Sequence, residues 1–413
     1  MQCPRCGVPI KVNSKRKLGV CRECMYTLMI KSGKLSTDNV MQRGSKRMKY
    51  TMDNRLKVFG VVNHVGNQHE MLKLAKKYPI KFCYLENNVR RWTRFSARPE
   101  PSTVYTKDEF EWVTHYEPGK YDLAILHVDQ QHADPMIGKG QLYRAMNKVI
   151  QDIPKMVINH GTPMWDEAFT EDLVINGGEI LTSKGTRRIE GMKELVGDNF
   201  MVVNSYDSVA RWGWGYPLIH GMDKDDWLDL PKEPRVVISL SPGGLDKYYN
   251  RALLTAIKAQ VKDKTGMDVQ HIMVNFESRD FLDYREFLGS SLIYINPTFD
   301  SPMPRSRTEA MLSGCCVLTS KYHNADEFIE HGVNGFIVPD NPMSYAKGIQ
   351  EILNGGYRNA IEIGRKGKHS AQKLFNLERY LDDLFYLITE VTEGRKPEWD
   401  GSKIWEDVRE AKK

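Results

Sequence analysis

The sequence predicts an α/β protein with two doubly wound parallel sheets, preceded by a small metal-bound module. Three observations support this class. Apolar strand-like runs alternate with amphipathic helical stretches over residues 55–220, a second series of the same kind follows over residues 235–375, and four cysteines stand in pairs before residue 25. Strands that alternate with helices are typical of parallel sheets covered by helices.

The length and composition set the outer limits. A chain of 413 residues is long enough for two hydrophobic cores and one small extra module. No apolar run approaches the ~20 residues that a membrane-spanning helix needs. The first residues, Met1 onwards, lack an apolar leader, so the expected location is cytoplasmic.

The four cysteines predict a structural zinc site in residues 1–35. Cys3 and Cys6 form one C-x2-C pair, and Cys21 and Cys24 form a second pair after a spacer of 14 residues. Four thiolates at this spacing suit a closed tetrahedral zinc ribbon, which supplies folding energy to a module too small for its own core. Two disulfides are the alternative, which an intracellular location disfavours.

The positive charge is concentrated in the same part of the chain. Residues 1–57 carry 14 Lys or Arg against 3 Asp or Glu, whereas the whole chain has a net charge of only +6. The ribbon and the basic linker at residues 36–54 are therefore expected to contact an anion, with nucleic acid preferred. Two alternatives stay open, namely a ribbon that packs on the rest of the protein and a solvated linker.

The two α/β series are predicted element by element. The first has strands near residues 56–62, 80–85, 121–128, 155–159 and 200–204, with helices at 71–78 and 141–153. The polar segment 221–234 separates it from strands near 236–241, 271–276, 291–296, 316–320 and 336–338, with helices at 250–264, 280–289, 325–331 and 345–353. A last helix at 377–392, within residues 376–413, is expected to return to the first domain.

One segment places charged groups where such sheets bind ligands. In residues 295–320, an apolar strand leads through a Pro-rich loop into a helix with Arg305, Arg307 and Glu309, and a second strand follows. Ligands of open α/β sheets lie outside the carboxyl ends of the strands, and helix N-termini at that edge attract phosphate.

The same segment resembles the signature of GT-B glycosyltransferases, in particular family 4. Glu309, Ala310 and Met311 match the second half of that signature, and residues 326–338 match its continuation. The resemblance implies the GT-B fold, which consists of two Rossmann-like domains facing a cleft. It also implies that Glu309 binds the ribose of a nucleotide sugar, expected to be a UDP-sugar. The first Glu of the family signature is replaced by Ser301, which we assign to the donor site.

The loop after the first strand of the second domain gives further donor-site candidates. Gly244 stands where the family has an arginine, so Lys247 and Arg251 are expected to hold the diphosphate together with Arg305 and Arg307. Gly243 and Gly244 permit close approach of the backbone to phosphate.

In the first domain, Gly66 and Asn67 resemble the glycine loop that reaches towards the donor phosphates. His160 follows a strand at the position where the family often has a sugar-contacting histidine, so it is assigned as catalytic. Asp129 is the candidate base for the acceptor hydroxyl, with helix capping as the alternative role.

The resemblance implies a retaining transfer without a catalytic metal. The acceptor is predicted from a different feature, the basic residues 1–57, which we call the basic head. We expect a hydroxymethylated base in DNA, as modified by viral DNA glycosyltransferases, which are also GT-B. The base would have to leave the stack. One alternative is a cell-surface glycan or lipid carrier, with the head on an anionic membrane. Another is an inactive module that binds nucleotide sugars, since Ser301 and Gly244 replace family residues.

Overall fold

The structure is a computed structural model. It describes residues 11–13, 18–20, 27–31, 34–35, 50–86, 92, 98–133, 140–163, 189–239, 251–272, 280–298, 303–320 and 325–399. The chain divides into two compact units, residues 1–55 with 399–413, and residues 56–398.

The smaller unit contains a four-stranded antiparallel sheet in the order β1-β2-β3-β4. Its strands are β1 (Lys11–Asn13), β2 (Leu18–Val20), β3 (Thr27–Lys31) and β4 (Lys34–Leu35). The four cysteines predicted to bind zinc lie outside the described residues, as does the segment 36–49, which forms most of the predicted basic linker.

The first sheet of the larger unit has seven parallel strands in the order β11-β10-β9-β8-β5-β6-β7. They are β5 (Leu56–Val61), β6 (Ile80–Leu85), β7 (Phe110–Val113), β8 (Leu123–Val128), β9 (Lys155–Asn159), β10 (Phe200–Val203) and β11 (Tyr216–Pro217). Its helices are α1 (Val65–Leu72), α2 (Leu74–Lys77), α3 (Gln141–Val149) and α4 (Tyr206–Trp212), and residues 189–196 are also helical.

The second sheet has five parallel strands in the order β13-β12-β14-β15-β16. They are β12 (Glu233–Ser239), β13 (Val269–Ile272), β14 (Ser291–Asn296), β15 (Cys316–Ser320) and β16 (Phe336–Val338). Its helices are α5 (Arg251–Thr265), α6 (Phe281–Ser290), α7 (Arg305–Leu312), α8 (Ala325–Phe328), α9 (Pro342–Asn354) and α10 (Gly356–Leu374).

Each sheet has its own apolar core, as expected for parallel strands covered on both faces. The central strands β8 and β14 are buried along their whole length. The predicted α/β class with parallel sheets is therefore confirmed.

Three elements of the structure were not predicted from the sequence, and one predicted helix is shorter than expected. The short edge strands β7 and β11 and the long helix α10 were missed. Residues 325–331 were predicted as helical, but α8 ends at Phe328. A turn at residues 331–335 follows and leads into β16.

The last helix, α11 (Leu377–Thr392), contacts strands β8 and β9 of the first sheet. The ring of Phe385 stacks on Tyr78 at a centroid distance of 3.9 Å. Arg379 donates to the carbonyl oxygen of Ile219 at 3.0 Å. Among the described residues, no helix combines the length and apolar character that crossing a bilayer requires.

Candidate functional site

The site lies where helices that follow β5 and β14 meet. Helix α1 begins at Val65 and helix α7 at Arg305, and neither N-terminus has a side-chain cap. A Cβ atom on Gly66 would lie 2.9 Å from Nε of Arg305, so glycine allows this close approach. The predicted glycine loop of one sheet and the predicted signature helix of the other are therefore adjacent.

Arg305 is the cation at this junction. Its Nη2 donates to Oε1 of Glu70 at 3.3 Å, and its side chain is 20% exposed. The buried Nε and Nη1 atoms have no hydrogen-bond partner among the described residues. Burial lowers the pKa of Arg305, while Glu70 and Glu309 act in the opposite direction. Arg305 therefore places two donors that have no partner among the described residues next to two helix ends that lack a side-chain cap.

Glu309, predicted to bind ribose, is buried beside Arg305 and is held on both oxygens. Arg98 Nη2 donates to Oε1 at 2.9 Å, and the hydroxyl of Tyr284 donates to Oε2 at 2.7 Å. Because each carboxylate oxygen has a second lone-pair direction, Glu309 keeps acceptor capacity for two further hydroxyl groups.

His160 belongs to a cluster of three histidines at the ends of β5, β8 and β9. Its Nε2 lies 2.8 Å from Nδ1 of His127, and its ring stacks on His64 with centroids 3.8 Å apart. Burial, with its charged neighbours, lowers the pKa of His160 well below the usual value, and burial lowers that of His127 to about 3. Both imidazoles are therefore neutral at pH 7.

Asp129, the predicted base, follows β8 and borders this cluster. Its Oδ1 accepts a hydrogen bond from the backbone N–H of Gln131 at 3.0 Å and lies 2.9 Å from Nδ1 of His132. Its Oδ2 lies 4.0 Å from Nε2 of His64. The carboxylate thus caps the short 3-10 helix Gln130–Ala133 and also faces the histidine cluster.

Next to Arg305 lies a group of one histidine and two carboxylates, and a lysine forms ion pairs with the carboxylates. His69, Glu70 and Asp226 are close enough to hold a metal ion, but the ammonium of Lys73 contacts the same group, at 2.7 Å from Asp226 and 3.1 Å from Glu70. Burial acts to lower the pKa of Lys73, yet these carboxylates outweigh it and raise that pKa. The cluster is an ion-pair network, and we assign no metal to it.

The other predicted donor-site residues are less closely associated with Arg305. Arg307 is 2% exposed, and its guanidinium lies 5.5 Å from the ring centroid of Phe328. Arg251 lies in helix α5 and is exposed. Asn67 is buried in the first turn of α1. The remaining candidates fall outside the described residues, namely Gly243, Gly244, Lys247 and Ser301.

Sequence reasoning missed Arg98, Tyr284 and Glu70. Glu70 stands in the same helix as Gly66, so the helical spacing of four residues could have drawn attention to it. Arg98 and Tyr284 lie in segments with no motif, and only the packing of the two sheets brings Arg98 to Glu309.

The motif residues after α8 have a structural role. The side chain of Asn334 accepts a hydrogen bond from the backbone N–H of Glu330 at 2.7 Å and donates to the carbonyl of Phe328 at 3.2 Å. These bonds form the turn that leads into β16, beside the strand that follows Glu309.

Part of the second α/β region is similar to a family of known proteins. Residues 260–369 match the family model of group 1 glycosyl transferases. Spore coat protein SA of Bacillus subtilis (strain 168) is 28% identical over 102 residues, which are 24% of this chain and 27% of that protein. The chain therefore matches about a quarter of the length of this curated relative.

Solved structures resemble a larger part of the chain. Sucrose-phosphate synthase from Thermosynechococcus elongatus has a TM-score of 0.56 at 12% identity, covering 82% of this chain and all of that one. Alr3699/HepE of Anabaena, solved with UDP-glucose, has a TM-score of 0.55 at 14% identity, covering 81% and 100%. A glycosyltransferase from Rickettsia africae has a TM-score of 0.53 at 13% identity, covering 82% and 99%. These similarities establish a GT-B-like fold.

Proposed function

We propose that this protein is a glycosyltransferase that moves a sugar from a nucleotide sugar to a hydroxyl group. The observation that carries this proposal is the arrangement around Arg305. Two of its buried donors lack a partner among the described residues, two uncapped helix N-termini meet beside it, and Glu309 lies next to it. The group 1 family match and the GT-B-like neighbours support the same function.

Arg305 is assigned to the diphosphate. When the bond between the sugar and the diphosphate breaks, negative charge develops on the departing phosphate oxygen, and pre-oriented donors stabilise that charge. The N-termini of α1 and α7 add positive partial charge at the same place. Lys247, Arg251, Arg307, Gly243 and Gly244 are retained as predicted supporting residues.

Glu309 is assigned to the ribose. Its two oxygens can each accept a hydrogen bond from one of the two vicinal hydroxyls, a geometry that selects a ribonucleotide. We infer UDP as the nucleotide, since the similar Anabaena protein was solved with UDP-glucose and with UDP. Ser301 is expected to contact the sugar in place of the family's glutamate.

His160 is assigned to the transferred sugar. Because its Nε2 is close to His127, its Nδ1 is the ring nitrogen that can meet a hydroxyl group. A neutral imidazole can both donate and accept, as sugar recognition requires. Asp129 or the departing phosphate takes the proton of the acceptor hydroxyl as the new bond to the anomeric carbon forms. Retention of configuration without a catalytic metal follows from the family resemblance.

The proposed acceptor is a hydroxymethylated base in DNA. The support is the basic character of residues 1–57, which suits a phosphate backbone. The zinc ribbon formed by Cys3, Cys6, Cys21 and Cys24 would hold the basic side chains in place as a structural metal site.

A transfer assay tests this function. The purified chain is mixed with UDP-glucose or another nucleotide sugar and with duplex DNA that carries 5-hydroxymethylpyrimidines, and the nucleosides are analysed by mass spectrometry. A hexose mass added only to the hydroxymethylated nucleoside is the expected result. Sugar release from the donor without any DNA product would contradict the acceptor while leaving the transferase in place.

A further inference from the structure

We infer that Arg98 is a positioning residue that sets the preference of the donor site for ribose over 2′-deoxyribose. This inference rests on the proposed function, because it concerns the ribose contact of Glu309. Arg98 follows β6 of the first sheet, whereas Glu309 lies on α7 of the second. Half of the ribose site is therefore oriented by a residue from the opposite sheet.

The contact with Glu309 is short and almost fully buried. The two side chains are 5% and 8% exposed, and the distance from Nη2 to Oε1 is 2.9 Å. A carboxylate buried to this degree needs a charged or hydrogen-bonded partner. Tyr284 supplies a neutral donor to the other oxygen, so Arg98 is the charged partner in the pair of hydrogen bonds that hold Glu309.

The geometry of the two bonds determines what Glu309 can bind. Arg98 and Tyr284 each engage a different oxygen, which fixes the rotation of the carboxylate about its last bond. With respect to the residues that the structure describes, one acceptor direction then remains on each oxygen, and the two directions are held side by side. A vicinal diol satisfies both, but a 2′-deoxyribose leaves one buried acceptor without a donor.

Arg98 is itself held rigidly. Its guanidinium lies over the ring of Phe281 at 4.1 Å and over that of Trp227 at 5.4 Å. In the backbone next to it, the carbonyl of Pro99 accepts a hydrogen bond from the indole of Trp92 at 2.6 Å. Because both the chain and the side chain are fixed, the orientation of Glu309 is set before a nucleotide binds.

The test compares the affinity of the full chain for UDP and 2′-dUDP by calorimetry. The wild type is expected to bind UDP about tenfold or more tightly than 2′-dUDP, the effect of one hydrogen bond to a charged group. Arg98→Met should bring the ratio close to one, and Arg98→Lys, which keeps the charge, should restore part of it. A purely structural role would lower both affinities equally and leave the ratio unchanged.

Arg285 provides a matched control. Its guanidinium lies 4.8 Å from the same Phe281 ring, but it donates to the carbonyl of Asp226 at 3.1 Å rather than to Glu309. Arg285→Met should therefore keep the wild-type ratio. A ratio that collapses equally in Arg285→Met and Arg98→Met would overturn the inference, since both changes then act through Phe281.

Glu309→Gln separates this inference from the proposed function. If Glu309→Gln leaves both affinities unchanged, the ribose site itself is wrong. If Glu309→Gln abolishes the ratio while Arg98→Met preserves it, the ribose site stands and the role of Arg98 is refuted. The variant that combines Arg98→Met with Glu309→Gln should have the same ratio of UDP to 2′-dUDP affinity as each single variant, because both changes act through one contact.

Discussion

Replacement of Arg305 by Met should weaken the binding of UDP strongly and that of uridine hardly at all. Met keeps the length and the apolar stem of the side chain but removes the cation. Two guanidinium nitrogens, Nε and Nη1, have no hydrogen-bond partner in the part of the chain that the structure describes, and we assign them to the diphosphate. A hydrogen bond between charged groups is worth about 1.5–3 kcal/mol, so we expect a loss of about 3 kcal/mol, or ~150-fold in Kd.

The fold should tolerate this change. Glu70 loses its 3.3 Å contact with Arg305 but keeps Lys73 at 3.1 Å and the backbone N–H of Asp223 at 3.3 Å. Its charge therefore stays balanced in Arg305→Met. Thermal unfolding of the variant, measured without nucleotide, should lie within a few degrees of the wild type.

The assay is calorimetric titration with UDP and with uridine, and Arg235→Met is the control. Arg235 lies near the start of β12, away from the carboxyl ends of the strands, with its guanidinium 4.2 Å from the ring of Phe287. The control should bind both ligands as the wild type does. Equal losses of UDP and uridine affinity in Arg305→Met, or no loss at all, would refute the assignment of Arg305 to phosphate.

Three further predictions concern other parts of the chain. Glu309→Gln should weaken UDP and uridine alike by about tenfold, since both contain the ribose, and calorimetry that shows a loss for UDP only would contradict this. His127→Asn should flatten the pH dependence of stability below pH 6.5. Burial lowers the pKa of His127 to about 3 in the folded protein. Between pH 6.5 and 3 the unfolded chain therefore binds more protons at this residue than the folded chain does. The free energy of unfolding falls by up to ~1.4 kcal/mol for each pH unit in that range. Urea unfolding at pH 7 and 5.5 measures this, and equal slopes in variant and wild type would count against it. Removal of residues 1–54 should lower activity on DNA and reduce its salt dependence, whereas an unchanged salt slope would show that the basic head does not contact phosphates.

The repeating strands and the signature helix were accessible from the sequence, because apolar runs and motif residues are local features. Helix α10 was not, since its glycines reduce helix propensity. The structure explains why two of these positions are occupied by glycine. A Cβ atom on Gly364 would lie 2.3 Å from the carbonyl oxygen of Gly314, and one on Gly367 would lie 2.7 Å from that of Asn334. Tertiary packing against the signature segment thus overrides a local preference.

Within the site, the sequence predicted the residues that bear a family motif but not their partners. Gly66, Arg305 and Glu309 were identified, and the structure brings them together. Arg98 was not identified, because its contact with Glu309 joins positions that are 211 residues apart, one in the segment after β6 and the other on α7. No local pattern carries such information, and only the approach of the two sheets creates it.

Consumption of a nucleotide sugar is the activity that the arrangement around Arg305 and Glu309 should support. The full chain is incubated with a panel of UDP-sugars, with and without hydroxymethylated DNA, and release of free UDP is followed over time. We expect the wild type to release UDP from at least one donor and Arg305→Met to release it much more slowly. The folded wild type could instead bind inorganic pyrophosphate but neither bind nor consume any nucleotide sugar. That result would show that the proposed function is wrong.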